Sequence, residues 1–304
     1  MRQRAVKRKG IKVDPWLYIM LIPALILVVV YSYGPLFGLV MAFQEYNIAL
    51  GIFGSPFVGL DNFRYLFLNP NFSRVIWNTL FMSVMKLLFR FAVPIVVAIL
   101  LNEVNRLRFK RAVQTLIYLP YFVSWVALSG VFINLLSPTD GVVNEFIKLL
   151  GGEPIYFLGN PKLFPWVMVV TDVWKEFGYG TIIYMAALTS IDPSLYEAAC
   201  IDGASRFRRV WHITLPGLTP IMVLTGILSL GGLLNAGFDQ VFNLYNPMVY
   251  STGDILDTFI YRTGMENAQY DVATAVGLIK SGVSLVLVSG SYFAAYKLAD
   301  YRIF

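Results

Sequence analysis

Lys86 and Arg90 stand four residues apart inside one long apolar stretch, and Asp172, Lys175 and Glu176 stand close together inside another. A spacing of four puts two side chains on one helix face, so Lys86 and Arg90 point the same way, as do Asp172 and Glu176. Lys280 is a sixth ionisable group in an apolar setting. Charges are costly inside a hydrocarbon layer, and those that persist face a bundle interior or a water-filled path. Two chemistries fit. The groups can pair internally and hold helices together, or they can line a route for a polar solute. For such a route Trp174 and Tyr179 offer flat apolar faces, and Asn235, Phe238, Asp239, Gln240 and Asn243 offer a mixed set of rings and hydrogen-bond partners. The same residues would equally serve as an interfacial aromatic belt and a hydrated helix end. Four basic groups against two acidic ones would give the route a positive lining suited to an anionic solute.

The elements that must hold these residues are long and apolar. Of 304 residues, 57% are hydrophobic and 14% charged, whereas a soluble domain carries about 25% charged residues. A helix needs about 20 apolar residues to cross a hydrocarbon core. Six segments meet that length: Trp16–Phe43, Asn78–Leu101, Val113–Leu136, Phe164–Thr189, Ile213–Asn235 and Val272–Tyr296. They are too long and too continuous for outer-membrane β-strands, which alternate over about ten residues. The expected fold is an all-α integral membrane protein of six transmembrane helices, a single domain over residues 1–304.

The placement of Lys and Arg orients the spans. On one side lie Arg2, Arg4, Lys7, Arg8, Lys9 and Lys12, then Arg106, Arg108, Lys110 and Arg111, then Arg206, Arg208 and Arg209, then Lys297 and Arg302. The alternate loops Gln44–Ser73, Ser137–Leu163 and Ala236–Asp271 carry only Arg64, Lys148, Lys162 and Arg262. Fifteen against four, alternating across every span, predicts both termini in the cytoplasm. The net charge of +6 is then a topology signal facing anionic lipid, and no nucleic-acid partner is needed to explain it. The first apolar run is longer than the core of a signal peptide, so it is expected to stay as an anchor. Cys200 is the sole cysteine and His212 the sole histidine, which excludes an intrachain disulfide and argues against a metal site.

A polar cassette, residues 191–216, separates the fourth and fifth spans on the cytoplasmic side. Asp192 can cap a helix and Pro193 suits its first position. Ser194–Ile201 then makes about two turns. Ala198, Ala199 and Cys200 keep its surface low, so another protein can approach closely. Gly203 suits a helix end with positive φ. Arg206–Thr214 resumes the helix, and Pro216 enters the fifth span. A rigid lever of this kind passes a partner's motion to both attached spans, with Glu197 and Asp202 as acceptors for the partner's donors. An ordinary interfacial loop with a basic edge is the plainer alternative.

The string Tyr196-Glu197-Ala198-Ala199-Cys200-Ile201-Asp202-Gly203-Ala204, followed by Ile213-Thr214-Leu215-Pro216, resembles the EAA signature of permease subunits of binding-protein-dependent ABC importers. Cys200 stands where the signature more often has Ala. Tyr118-Leu119-Pro120, Ser137-Pro138-Thr139-Asp140-Gly141, Asp172-Val173-Trp174-Lys175-Glu176, Asn235-Ala236-Gly237-Phe238-Asp239-Gln240 and Thr274-Ala275-Val276-Gly277-Leu278 resemble the oligosaccharide branch of that family. That branch includes permeases for fragments of alginate or rhamnogalacturonan.

The resemblance implies a type I importer permease fold in a bacterial plasma or inner membrane. It implies a second permease subunit, two ATP-binding subunits and an extracytoplasmic solute-binding protein. Glu197, Ala198, Ala199, Asp202, Gly203 and Ala204 would then meet the ATPase. No Gly-x-x-x-x-Gly-Lys-Ser/Thr phosphate loop occurs in the chain, so this subunit is expected to bind no cofactor. ATP and Mg would belong to the partner ATPase. The outer loops Ser137–Leu163 and Ala236–Asp271 would contact the binding protein. Two rivals stay open on residues alone: an ion-coupled secondary transporter with Asp172, Glu176 and Lys280 as a relay, and a membrane scaffold that transports nothing.

Overall fold

A computed structural model describes residues 15–299. The basic residues Arg2, Arg4, Lys7, Arg8, Lys9, Lys12 and Arg302, and with them both termini, lie outside the described residues. Among the described residues the chain is helical, apart from one isolated bridge between Gln44 and Phe57.

The first span runs as α1 (Pro15–Val28), a π turn (Val29–Tyr33) and a 3-10 segment (Gly34–Phe43). Pro35 has no N–H to give to a regular α ladder, and the winding changes beside it. The Gly34-x-x-x-Gly38 spacing therefore marks a change of winding. A Cβ on either glycine would meet only its own segment.

α2 (Pro70–Asn102) begins eight residues before the expected start at Asn78. The Asn69 side chain caps it by accepting from the Asn71 N–H at 3.0 Å, and Pro70 fills the first position.

The third span differs from expectation. Val113–Leu136 is two helices, α3 (Leu107–Tyr118) and α4 (Trp125–Leu135), joined by the 3-10 turn Leu119–Phe122 and bent by 104°. Pro120 cannot continue an α ladder, and the Ser124 hydroxyl restarts one by accepting from the Ala127 N–H at 3.3 Å.

α5 (Val142–Leu149) is a short outer helix. α6 (Phe164–Leu188) spans 25 residues but carries Asp172, Lys175 and Glu176. The cassette follows as α7 (Pro193–Ile201) and α8 (Arg206–Arg209), then a π turn (Val210–Thr214) leading into α9 (Leu215–Leu230). The fifth span was expected to reach Asn235; the helix stops at Leu230, and Gly231 and Gly232 open a turn. Two short helices, α10 (Phe238–Leu244) and α11 (Leu256–Tyr261), precede the last, α12 (Tyr270–Ala299).

By length and composition, four described helical segments can cross a membrane: Tyr18–Phe43, Pro70–Asn102, Arg206–Leu230 and Tyr270–Phe293. The bent α3–α4 pair would make a fifth. Its three charged residues keep α6 out of that set.

α2 and α6 form the centre. Ile95 and Ala98 of α2, Tyr184 and Leu188 of α6 and Leu218 of α9 build the core at the cassette end. Met82 and Met168 join a second core at the opposite end, with Leu128, Phe132 and Val241 around them. Gly178 lets α3 press on α6: a Cβ there would sit 1.9 Å from the Ile117 carbonyl oxygen.

Candidate functional site

The break between α3 and α4 and the charges of α6 are one arrangement. A 3-10 turn leaves carbonyls without a helical partner. The Lys175 ammonium donates to one of them, the Tyr121 carbonyl, at 2.8 Å. It also lies over the rings of Tyr121 and Trp125, at 5.1 and 5.6 Å from their centres, with the Glu176 carboxylate 3.7 Å away. Tyr179, one turn further along α6, stacks on Tyr121 at 4.1 Å with 6° between the ring planes.

One turn before Lys175 the α6 face meets α2. Asp172 is buried, with 1% of its side chain exposed, and accepts a two-pronged contact from Arg90. The Arg90 Nε–H reaches Oδ2 at 2.6 Å and an Nη2–H reaches Oδ1 at 2.7 Å. Lys86, one turn earlier on α2, is also buried. Its ammonium stands 3.5 Å from the same Oδ1 and donates to the Ala236 carbonyl at 2.6 Å and to Gln240 Oε1. Gln240 in turn donates to the Met168 carbonyl at 2.8 Å and to the Thr171 hydroxyl at 2.7 Å. Every buried charge here has a partner, as burial requires. Gly237 makes this closure possible: its φ of +87° starts α10, and a Cβ on it would lie 3.1 Å from the Lys86 ammonium.

The network forms one wall of a cavity of about 660 Å³. α2 supplies Ser83, Lys86, Leu87, Arg90 and Phe91; α6 supplies Gly180, Ile183 and Tyr184; α9 supplies Thr225, Leu228 and Ser229. Trp125, Asn235, Gly237, Phe238 and Asp239 complete it. Of the residues expected on a solute path, Lys86, Arg90, Asn235, Phe238 and Asp239 line this space, and Asp172 and Gln240 support it from behind. Lys175, Glu176 and Tyr179 flank the broken span. Trp174 and Lys280 lie elsewhere. Trp174 meets Phe132 edge-on at 5.7 Å and faces a separate apolar hollow. Lys280 pairs with Asp257 between α11 and α12. The expected excess of two positive charges does not line the cavity: Lys86 and Arg90 are balanced by Asp172 behind them and Asp239 on the wall.

Sequence reasoning missed the hydroxyls. Thr225 and Ser229 satisfy themselves on their own helix, donating to the carbonyls of Ile221 and Thr225 at 2.7 Å each, and Tyr184 meets Thr225 at 2.9 Å. Ser83 is buried, and its hydroxyl has no partner. The available signal was spacing: Ser83 lies one turn before Lys86, and Thr225 and Ser229 are four apart.

The cassette stands at the other end of α6 and α9. The Asp192 carboxylate accepts from the Ser194 N–H at 2.9 Å, and the Ser194 amide and hydroxyl together hold it below the usual carboxylate range. α7 ends in a closed turn. The Ala204 N–H returns to the Ala199 carbonyl at 2.9 Å and the Gly203 N–H to the Cys200 carbonyl at 3.1 Å, with Gly203 at φ +73°. This is the glycine-terminated motif that satisfies orphan carbonyls. Glu197, Ala198, Asp202 and Gly203 are exposed, and Ala199 and Ala204 half-buried. Two contacts tie the lever to its neighbours. The Tyr196 hydroxyl meets that of Thr214 at 3.0 Å, and Ile191 packs where a Cβ on Gly217 would fall, 2.6 Å from its Cδ1.

Against known proteins, residues 90–297 match the model of a family described as binding-protein-dependent transport system inner membrane component. The chain is 42% identical to Protein LplB of Bacillus subtilis over 97% of its own length and 93% of that protein's. It is 43% identical to the polygalacturonan/rhamnogalacturonan transport system permease protein YteP of the same organism, over 95% and 90% of the two lengths. A chain in the crystal structure of a bacterial alginate ABC transporter, in complex with alginate pentasaccharide-bound periplasmic protein, superposes with a TM-score of 0.87 at 39% identity. That match covers 96% of this chain and 98% of the other.

Proposed function

The chain belongs to the family of binding-protein-dependent transport system inner membrane components, and on that premise we propose that it is the permease subunit of an ATP-driven importer of oligosaccharides, acidic polysaccharide fragments among them. It is a non-catalytic membrane subunit. ATP hydrolysis takes place on a partner chain, where ATP and Mg are held.

One observation carries the reading. The cavity and the cassette are attached to the same two helices: α6 runs from the Asp172 wall into α7, and α9 runs from the cassette to the Thr225–Ser229 wall. Movement of α7 must therefore shift two walls of the cavity. The fit of the residues agrees. The cavity offers an arginine, a carboxylate, hydroxyls and the rings of Trp125 and Phe238, which suits a ligand with many hydroxyls and apolar ring faces.

The finer parts of the proposal follow from this arrangement. The chain would cross a bacterial plasma or inner membrane six times with both termini in the cytoplasm, counting the bent α3–α4 pair and α6 as spans. The lean charge of the outer loops supports that topology. Residues 191–216 would form the coupling loop, with Glu197, Ala198, Ala199, Asp202, Gly203 and Ala204 against one of two ATP-binding subunits. A second permease subunit would close the path, and a solute-binding protein would deliver the sugar at the outer face.

The test is ATP-driven uptake by the assembled importer in proteoliposomes, against a panel of oligogalacturonides, alginate oligosaccharides and neutral arabino-oligosaccharides. Glu197→Ala combined with Gly203→Val should abolish uptake while membrane insertion stays normal. Normal uptake by that double variant would remove the coupling assignment.

A further inference from the structure

The short helix α10 has two unlike faces. Gln240, Val241 and Leu244 are buried. Phe238 and Phe242, four residues apart, share another face, and Tyr245 follows just past the helix end; all three are only half-buried. Tyr245 packs against the core around Val241 and Leu244, yet each ring keeps part of its surface exposed, where a solvent-facing edge normally carries polar side chains. The rings touch in sequence: Phe238 and Phe242 stack with centres 5.1 Å apart, Phe242 and Tyr245 follow at 6.0 Å, and Tyr245 and Tyr250 at 5.2 Å. Tyr261 of α11 braces the run from the side, 4.7 Å from Phe242 and 5.8 Å from Phe238. At the far end the Arg262 guanidinium lies 4.5 Å over Tyr250, held by Asp254.

We propose that Phe238, Phe242, Tyr245 and Tyr250 form an aromatic track along which an oligosaccharide slides, by the apolar faces of its sugar rings, into the polar cavity. The inference rests on the reading of the chain as an oligosaccharide permease. Continuity with the cavity commits the track to this ligand. Phe238 lines the cavity wall beside Asn235 and Asp239, and α10 lies at the end of α9 opposite the cassette, where the sugar enters. Each step between ring centres is close to the length of one pyranose unit, so a chain can advance one residue at a time without losing all its contacts. Stacking is tolerant of sequence because every pyranose has an apolar face, as every base has a π-face on single-strand binding platforms. Tyr245 also stays neutral throughout, since burial and the neighbouring Tyr250 push its hydroxyl up to about 12.

A track predicts dependence on chain length, which packing alone does not. Phe242→Leu and Tyr245→Leu keep apolar volume and remove the ring. Wild-type and variant importers are compared in proteoliposomes, using the best-transported sugar of the panel above at two and at five residues, with basal ATP turnover as the check on assembly. Loss of one aromatic contact is worth a factor of roughly three to ten. The double variant should therefore lose about tenfold or more of pentasaccharide uptake. Its disaccharide uptake should change less than threefold and its basal turnover stay normal, while Tyr245→Phe should match wild type. Equal loss at both lengths, or no loss, overturns the track and leaves the permease reading standing. A wild-type importer that takes up no sugar of the panel overturns the permease reading and the track with it.

Discussion

Arg90 on α2 grips Asp172 on α6 through two hydrogen bonds of 2.6 and 2.7 Å, and this fork fixes the register of the two central helices. Arg90 also lines the cavity and stays 43% exposed, so one side chain both closes the network and forms part of the cavity wall. Lys86 shares the same carboxylate. Asp172→Asn would remove the carboxylate shared by the buried Lys86 and the partly exposed Arg90. Breaking a buried pair from one side costs about 3–5 kcal/mol. The variant should show a lower thermal unfolding midpoint in detergent and reduced membrane abundance. Unchanged stability would mean that the network is solvated in the working protein.

Among the described glycines, a Cβ would meet its nearest neighbour most closely at Gly178. Gly178→Ala would drive a methyl group into the Ile117 carbonyl, at 1.9 Å before relaxation. Overpacking of this kind costs about 1–3 kcal/mol. The expected result is a thermolabile importer whose sugar preference is unchanged. Gly130→Ala, where a Cβ meets nothing within 4 Å, is the control.

The end of α7 depends on Gly203. Its φ of +73° costs a residue with a Cβ about 1–2 kcal/mol. Gly203→Asn should retain most uptake, since Asn tolerates that conformation, while Gly203→Val should lose it. Uptake assays on matched membrane levels separate the two.

The cap of α7 is sensitive to pH in one direction. The folded-state pKa of Asp192 is lowered by the Ser194 amide and hydroxyl. Its contribution is therefore complete above the ordinary carboxylate range and is lost as pH falls through the lowered value. Asp192→Asn can still cap and should remove that acid-dependent part. Uptake and helicity measured from neutral pH down to acid, in both proteins, check the sign. A steeper acid loss in the variant contradicts it.

The cassette was legible because its logic is local. Asp192, Pro193 and Gly203 each dictate a backbone state at one position, and the helix starts and stops where they require. Lys86, Arg90 and Asp172 were legible as a set because charges have so few places to go inside apolar helices. Which partner each would take was not legible. Lys280 found Asp257 on an outer helix that the pattern did not predict, and Lys175 found a carbonyl freed by a bend at Pro120 that hydropathy reads straight through. The cavity hydroxyls were hidden for a similar reason. Thr225 and Ser229 bond to their own helix and look like any polar residue in a span, until tertiary packing brings them to the cavity that Arg90 also lines.

On the proposed function, ATP is consumed on a partner, its energy passes through α7, and an oligosaccharide moves past the Arg90–Asp172 wall. The most direct test is uptake of a labelled oligosaccharide into proteoliposomes holding the complete importer, with and without ATP on the cassette side and with the proton gradient collapsed. The account predicts uptake that requires ATP and is unaffected by loss of the gradient. Uptake that persists without ATP and disappears with the gradient would contradict it, and would return Asp172 and Glu176 to the role of an ion relay.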